Sequence, residues 1–182
     1  MRASVQNVIR DEPVAAAAAA VALGAMATIL GAWFFEYVLG YVPCPLCLQQ
    51  RIAYYITIPL AVIIAAGALA RWPRKLLAAG LAVIALSMLF NAGLGLYHSG
   101  AEWKWWAGPQ SCGATLGGLG SGGNLLERVQ SARIVRCDEA AWRFLGLSLA
   151  GYNVLISLAL AAVAAAGAWA ALRPYGSSSV SQ

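Results

Sequence analysis

Four long apolar stretches, at 14–35, 52–70, 76–97 and 145–172, leave this chain few ways to fold. Each is close to or above the roughly 20 residues that an α-helix needs to cross ~30 Å of hydrocarbon. Lipid cannot hydrogen-bond an open backbone, so only helices or closed barrels span it. Alternating strand patterns are absent, and the stretches are read as helices. The chain is 61% hydrophobic and 10% charged, against about 25% charged in soluble domains. The expected fold class is an all-α membrane protein, a four-transmembrane-helix bundle forming a single domain over 1–175. A disordered, serine-rich tail is expected at 176–182.

Arg2 and Arg10 precede the alanine-rich first stretch, as in a signal peptide. That stretch is longer than a signal peptide's apolar region and more spans follow, so it is read as a retained anchor. Its small residues suit close helix packing. Between the spans lie a short loop at 36–51, a tight basic turn at 71–75 and one long aqueous loop at 98–144. Two spans separate the first loop from the long one, which places all four cysteines on one side. Each side holds six Lys or Arg. Short loops and residues near span ends weigh most, so Arg71, Arg74 and Lys75 place both termini in the cytoplasm and the cysteines outside. The net charge of +5 then reflects topology, and no nucleic-acid partner is expected.

The cysteines are Cys44, Cys47, Cys112 and Cys137. On an exterior face disulfides persist, and three connectivities are open. A bridge between Cys112 and Cys137 could act as a staple worth ~3 kcal/mol in the chain-entropy model. A bridge within Cys44-Pro45-Leu46-Cys47 closes too small a ring to constrain much, which favours a redox role. A zinc site would want two close pairs, and the second pair is widely spaced, so no metal is expected. Cys47 falls in the first turn of the second helix, where anions are stabilised. Arg51 follows at i+4 on the same face. Its cation either supports a Cys47 thiolate and a carbonyl ligand, or snorkels to the interface.

Cys-x-x-Cys-x-x-x-Arg at the opening of the second span, the cysteine pair in the third loop and the run Cys137-Asp138-Glu139 with Trp142–Leu147 resemble the disulfide bond formation protein B (DsbB) family. The resemblance covers most of the chain. It implies a protein-disulfide:quinone oxidoreductase of the bacterial inner membrane, with its cysteines periplasmic. Cys112 and Cys137 would take electrons from a periplasmic thioredoxin-fold thiol oxidase (DsbA-like) and pass them to Cys44 and Cys47. Cys47 would face ubiquinone or menaquinone drawn from the membrane quinone pool, with Arg51 and His98 on the quinone side. Read alone, a single interfacial histidine is more often structural. Many members carry an acidic residue before the arginine; here it is Gln50.

The loop at 113–123 is glycine-rich and offers freedom for a relay. Leu125, Val129 and Ala132 recur at helical spacing, as in a helix lying on the membrane surface. Trp103, Trp105 and Trp106 suit an interfacial belt. Two other readings remain. A vitamin K epoxide reductase-like enzyme also carries two cysteine pairs, but with the loop pair first in sequence. A non-enzymatic membrane protein would use its disulfides as staples. A transporter is disfavoured because the spans carry almost no charge.

Overall fold

Among the described residues, the computed structural model contains four long helices and one short hairpin. It describes residues 2–108 and 137–173, with side chains from residue 13 onward. Helix α1 (Arg2–Trp33) runs into a π-helical turn at Phe34–Val38. Helix α2 spans Pro45–Leu69 and α3 spans Arg74–Glu102. Strands β1 (Arg143–Phe144) and β2 (Leu147–Ser148) then precede α4 (Leu149–Leu172). All four helices are long and apolar enough to cross a membrane. The spans expected from composition are thus present, with shifted ends.

The shifts have local causes. Cys44 caps α2, and Pro45 at the first helical position has no N–H to lose. Gln50 and Arg51 therefore belong to the helix rather than to a loop. Helix α3 continues past His98 to Glu102, where Trp103 ends it. Trp106 then folds back over Gly100, where a Cβ would lie 2.0 Å from the indole. Its Nε1 donates to the Tyr97 carbonyl at 2.9 Å.

The fourth span begins later than its hydropathy suggests. Leu145 and Gly146 both have positive φ, 49° and 81°. This is the signature of a two-residue hairpin turn joining Phe144 to Leu147. The hairpin has no alternating pattern because each strand is two residues long. Ser148 then caps α4, its hydroxyl accepting from Gly151 N–H at 3.1 Å.

The bundle packs α3 mainly against α4 and α1 mainly against α2. Its core includes Val21, Ala25, Leu81, Ile84, Met88 and Ala164. Large apolar side chains such as Leu23, Leu69 and Leu86 point outward, 66–77% exposed. That surface suits lipid, where tight packing and not water exclusion holds helices together. Small residues bring the backbones close: a Cβ on Gly167 would lie 2.7 Å from Ala17 Cβ and 3.0 Å from Leu81 Cδ1. Gly167→Val is expected to destabilise the bundle by about 1–3 kcal/mol through overpacking. Leu86→Val, on the outward surface, should change little. Thermal unfolding in detergent compares the two, and equal losses would contradict this packing.

Candidate functional site

Cys44 occupies the junction where extended chain enters α2. As the N-cap residue it has φ −76° and ψ 163°, and its sulfur accepts the Cys47 N–H at 3.2 Å. A sulfur here does what a serine or aspartate oxygen does at other helix starts. The cap brings Cys44 Sγ within 2.9 Å of Cys47 Sγ. Both are free thiols. Cys44 is buried and Cys47 half-buried.

Cys137 packs with Cys44 and Leu46 in a small buried cluster against which Cys47 also rests. It is 1% exposed and is engaged in a disulfide. The chain around it is tied down by Lys104, whose Nζ donates to the Asp138 carbonyl and carboxylate, both at 2.8 Å. Three of the four cysteines therefore meet at one end of the bundle. Cys112 lies outside the described residues. So do the glycine-rich run at 113–123, the surface helix expected near Leu125–Ala132, and the tail at 176–182.

His98 reaches the same cluster from α3. Its Nε2 is 3.6 Å from Cys44 Sγ and 3.7 Å from Glu102 Oε1. Its Nδ1 is 3.1 Å from Gln50 Nε2. The ring is thus directed at Cys44, and it does not line the cavity described below. Glu102 is a site residue that the sequence reading did not single out. Its i+4 spacing from His98 was the available signal.

A polar chain extends from Gln50 into the bundle. Asn153 Nδ2 donates to Gln50 Oε1 at 2.7 Å, and Tyr54 O–H donates to Asn153 Oδ1 at 2.6 Å. Asn91 Nδ2 donates to Ser157 Oγ at 3.0 Å. Buried amides and hydroxyls in a lipid setting need such partners.

An apolar cavity of about 600 Å³ opens beside the pair. Cys47, Gln50, Arg51 and Tyr54 form its polar wall, while α1 and α4 supply the apolar sides. Phe35, Trp142, Phe144 and Tyr152 bring a cluster of aromatic rings to its wall. Trp142 stacks on Phe144 with ring centres 5.8 Å apart and sits 5.1 Å from Phe35.

Arg51 lines this cavity but is not spent on Cys47. Its Nη1 pairs with Glu36 Oε2 on the π-helical turn, and its Nη2 approaches the Ala32 carbonyl. The i+4 relation puts Arg51 above Cys47, yet its long side chain reaches across to α1. Cys44, just outside the span, is lowered from an ordinary 9.0 to about 4. The Cys47 thiol hydrogen bond is the main cause; burial opposes it and the His98 imidazole adds to it.

A group whose folded-state pKa is depressed adds stability above its unfolded value, lost as pH falls through the folded one. For the reduced protein the Cys44 contribution should be complete above about pH 9 and gone below about pH 4. The melting temperature of reduced protein is expected to rise from pH 4.5 to pH 8 by an increment that Cys44→Ser removes. An increment of the same size in Cys44→Ser would contradict the assignment.

Known proteins resemble this chain over most of its length. The family model for disulfide bond formation protein DsbB matches residues 15–167. A disulfide bond formation protein B from Albidiferax ferrireducens is 31% identical over 158 residues, covering 77% of this chain and 83% of that one. Another from a Polaromonas species is 29% identical over 155 residues, covering 80% and 84%. An uncharacterized protein of Rickettsia prowazekii is 27% identical over 132 residues, covering 71% and 73%. No solved structure gives a significant match. With four membrane-length helices and a family match over most of its length, the chain belongs to the DsbB family of membrane proteins that act in disulfide bond formation.

Proposed function

We propose that this protein reoxidises a periplasmic thioredoxin-fold dithiol oxidase and delivers the electrons to a membrane quinone, ubiquinone or menaquinone. The observation that carries this reading is the two-sided position of the Cys44–Cys47 pair. Cys44 packs against buried Cys137, and Cys47 lines an apolar cavity. Electrons arriving at one sulfur leave from the other.

The protein steps are thiolate attacks through mixed disulfides. The reduced carrier meets Cys112, and Cys137 hands the electrons on to Cys44. The buried contact between Cys137 and Cys44 supports this transfer. The pair Cys44–Cys47 then closes as its electrons leave. A bound quinone would supply a two-electron, two-proton acceptor. The cavity suits such a group: ~600 Å³ lies within the usual range for small-molecule sites, and its walls are mainly apolar. Arg51 and the second amide proton of Gln50 offer hydrogen-bond donors for carbonyl oxygens on the wall that carries Cys47. Phe35 and Trp142 would hold a flat ring and keep water out. His98 does not line the cavity, and its Nε2 lies 3.6 Å from Cys44 Sγ.

The basic turn between α2 and α3 supports a cytoplasmic location for that end, and hence a periplasmic one for the cysteines. Free Cys44 and Cys47 beside a cavity weigh against a pair of inert staples. The order of the pairs weighs against the vitamin K epoxide reductase-like reading.

The test is an anaerobic assay of purified protein with reduced carrier and a soluble quinone, followed by quinone absorbance. Cys44→Ala and Cys47→Ala should fall to the rate without protein. Arg51→Met should raise KM for quinone about tenfold, as loss of a charge-assisted hydrogen bond of ~1.4 kcal/mol predicts, with a smaller change in kcat. Undiminished quinone loss in either cysteine variant would sink the proposal.

A further inference from the structure

We propose that His98 is a catalytic hydrogen-bond donor to the Cys44 thiolate, and that Gln50 is the positioning residue that sets its tautomer. The argument begins with what an amide nitrogen can do. Gln50 Nε2 has only protons to offer, and it lies 3.1 Å from His98 Nδ1. Nδ1 must therefore accept, so the proton of the neutral ring sits on Nε2. That proton faces Cys44 Sγ at 3.6 Å and Glu102 Oε1 at 3.7 Å.

The orientation of Gln50 is itself held. Its Oε1 accepts from Asn153 Nδ2, and Asn153 Oδ1 accepts from Tyr54 O–H. Donors thus point one way along the chain, from Tyr54 through Asn153 and Gln50 to His98, ending on sulfur. The same sulfurs and Nε2, all within 4.8 Å, look like ligands for a thiophilic metal ion. A metal would need the Nε2 lone pair, and Gln50 leaves a proton there instead.

The donor is useful in one step of the relay. A thiolate attacks the Cys137 sulfur of a transient Cys137–Cys44 bridge. A new S–S bond forms at Cys137, and the Cys137–Cys44 bond breaks with its electron pair leaving on Cys44 Sγ. The attacker is oxidised to a disulfide sulfur and Cys44 is reduced, so no outside oxidant enters. The Nε2–H meets the charge as it develops. Glu102 shares this hydrogen and gives it up as the sulfur becomes negative. Ser148 also hydrogen-bonds this carboxylate, while its Oε2 is buried without a hydrogen-bond partner among the described residues. The titratable groups around the ring are Cys44 and Cys47 at the start of α2 and Glu102 from α3. Arg143, on the hairpin, acts on Glu102.

The chain contains a single histidine, so ¹⁵N-histidine labelling reports this ring alone. In reduced full-length protein in detergent, the neutral ring should be the Nε2–H tautomer. Gln50→Glu, which replaces the donor with an acceptor, should move a proton onto Nδ1. An Nδ1–H tautomer in the unaltered protein, or an unchanged Nδ1 signal in Gln50→Glu, would overturn the proposal. A second measurement follows thiolate absorbance against pH in full-length Cys112→Ser/Cys137→Ser protein. Adding His98→Ala should raise the first thiolate midpoint by at least about one unit, a tenfold loss of thiolate at lower pH. An unmoved midpoint would also overturn it. The inference rests on reading Cys44–Cys47 as the exchanging pair. Neither measurement uses carrier or quinone, so absence of turnover would count against the proposed function and not against this one.

Discussion

A helix that starts at the edge of a membrane must satisfy its first N–H groups without help from lipid, and here a sulfur does so. Cys44 accepts the Cys47 N–H, and the geometry of that cap draws the two thiols together. The rest of the site follows from this contact. The cap turns Cys44 inward, toward Cys137 and His98, and leaves Cys47 against the cavity. Charge on Cys44 is favoured first by the Cys47 thiol, then by the His98 imidazole, with the backbone cap adding to both.

The four spans were legible in the sequence because lipid imposes one requirement, length of apolar helix, and the chain meets it four times. The ends were not legible. Whether α3 stops at Tyr97 or at Glu102 depends on Trp106 folding over Gly100 and on Arg143 Nη2 donating to the Glu102 carbonyl at 3.3 Å. These are contacts between segments, and no local pattern encodes them. The hairpin before α4 depends on two residues with positive φ, one of them a leucine. Hydropathy counts that leucine as membrane.

The candidate residues divide in a similar way. Cys44, Cys47, Arg51 and His98 stand out by type and spacing, and the structure gathers all four around α2's first turns. Their pairings do not follow from spacing. Arg51 lies on the same face as Cys47 but turns to Glu36, because a guanidinium on a flexible stem finds the nearest carboxylate. Glu102 and Asn153 were hidden for a different reason. Each is one polar residue in or beside an apolar run, and only the bundle shows that they converge. In lipid such groups are rarely accidental, since each must find a partner inside the protein.

The π-helical turn at Phe34–Val38 has a meaning of its own. A single extra residue in a helix rotates everything after it by about 100°. The part of α1 before the turn presents Val21 and Ala25 to the bundle, while the turn itself presents Phe35 and Glu36 to the cavity. One helix thus carries two independent phases. The first is tuned to packing and the second to the arginine and aromatic rings of the site. Near this turn, gaining or losing one residue would swing Glu36 away from Arg51 while leaving the buried stripe of α1 in register, so chain length here is a control on chemistry separate from the control on folding.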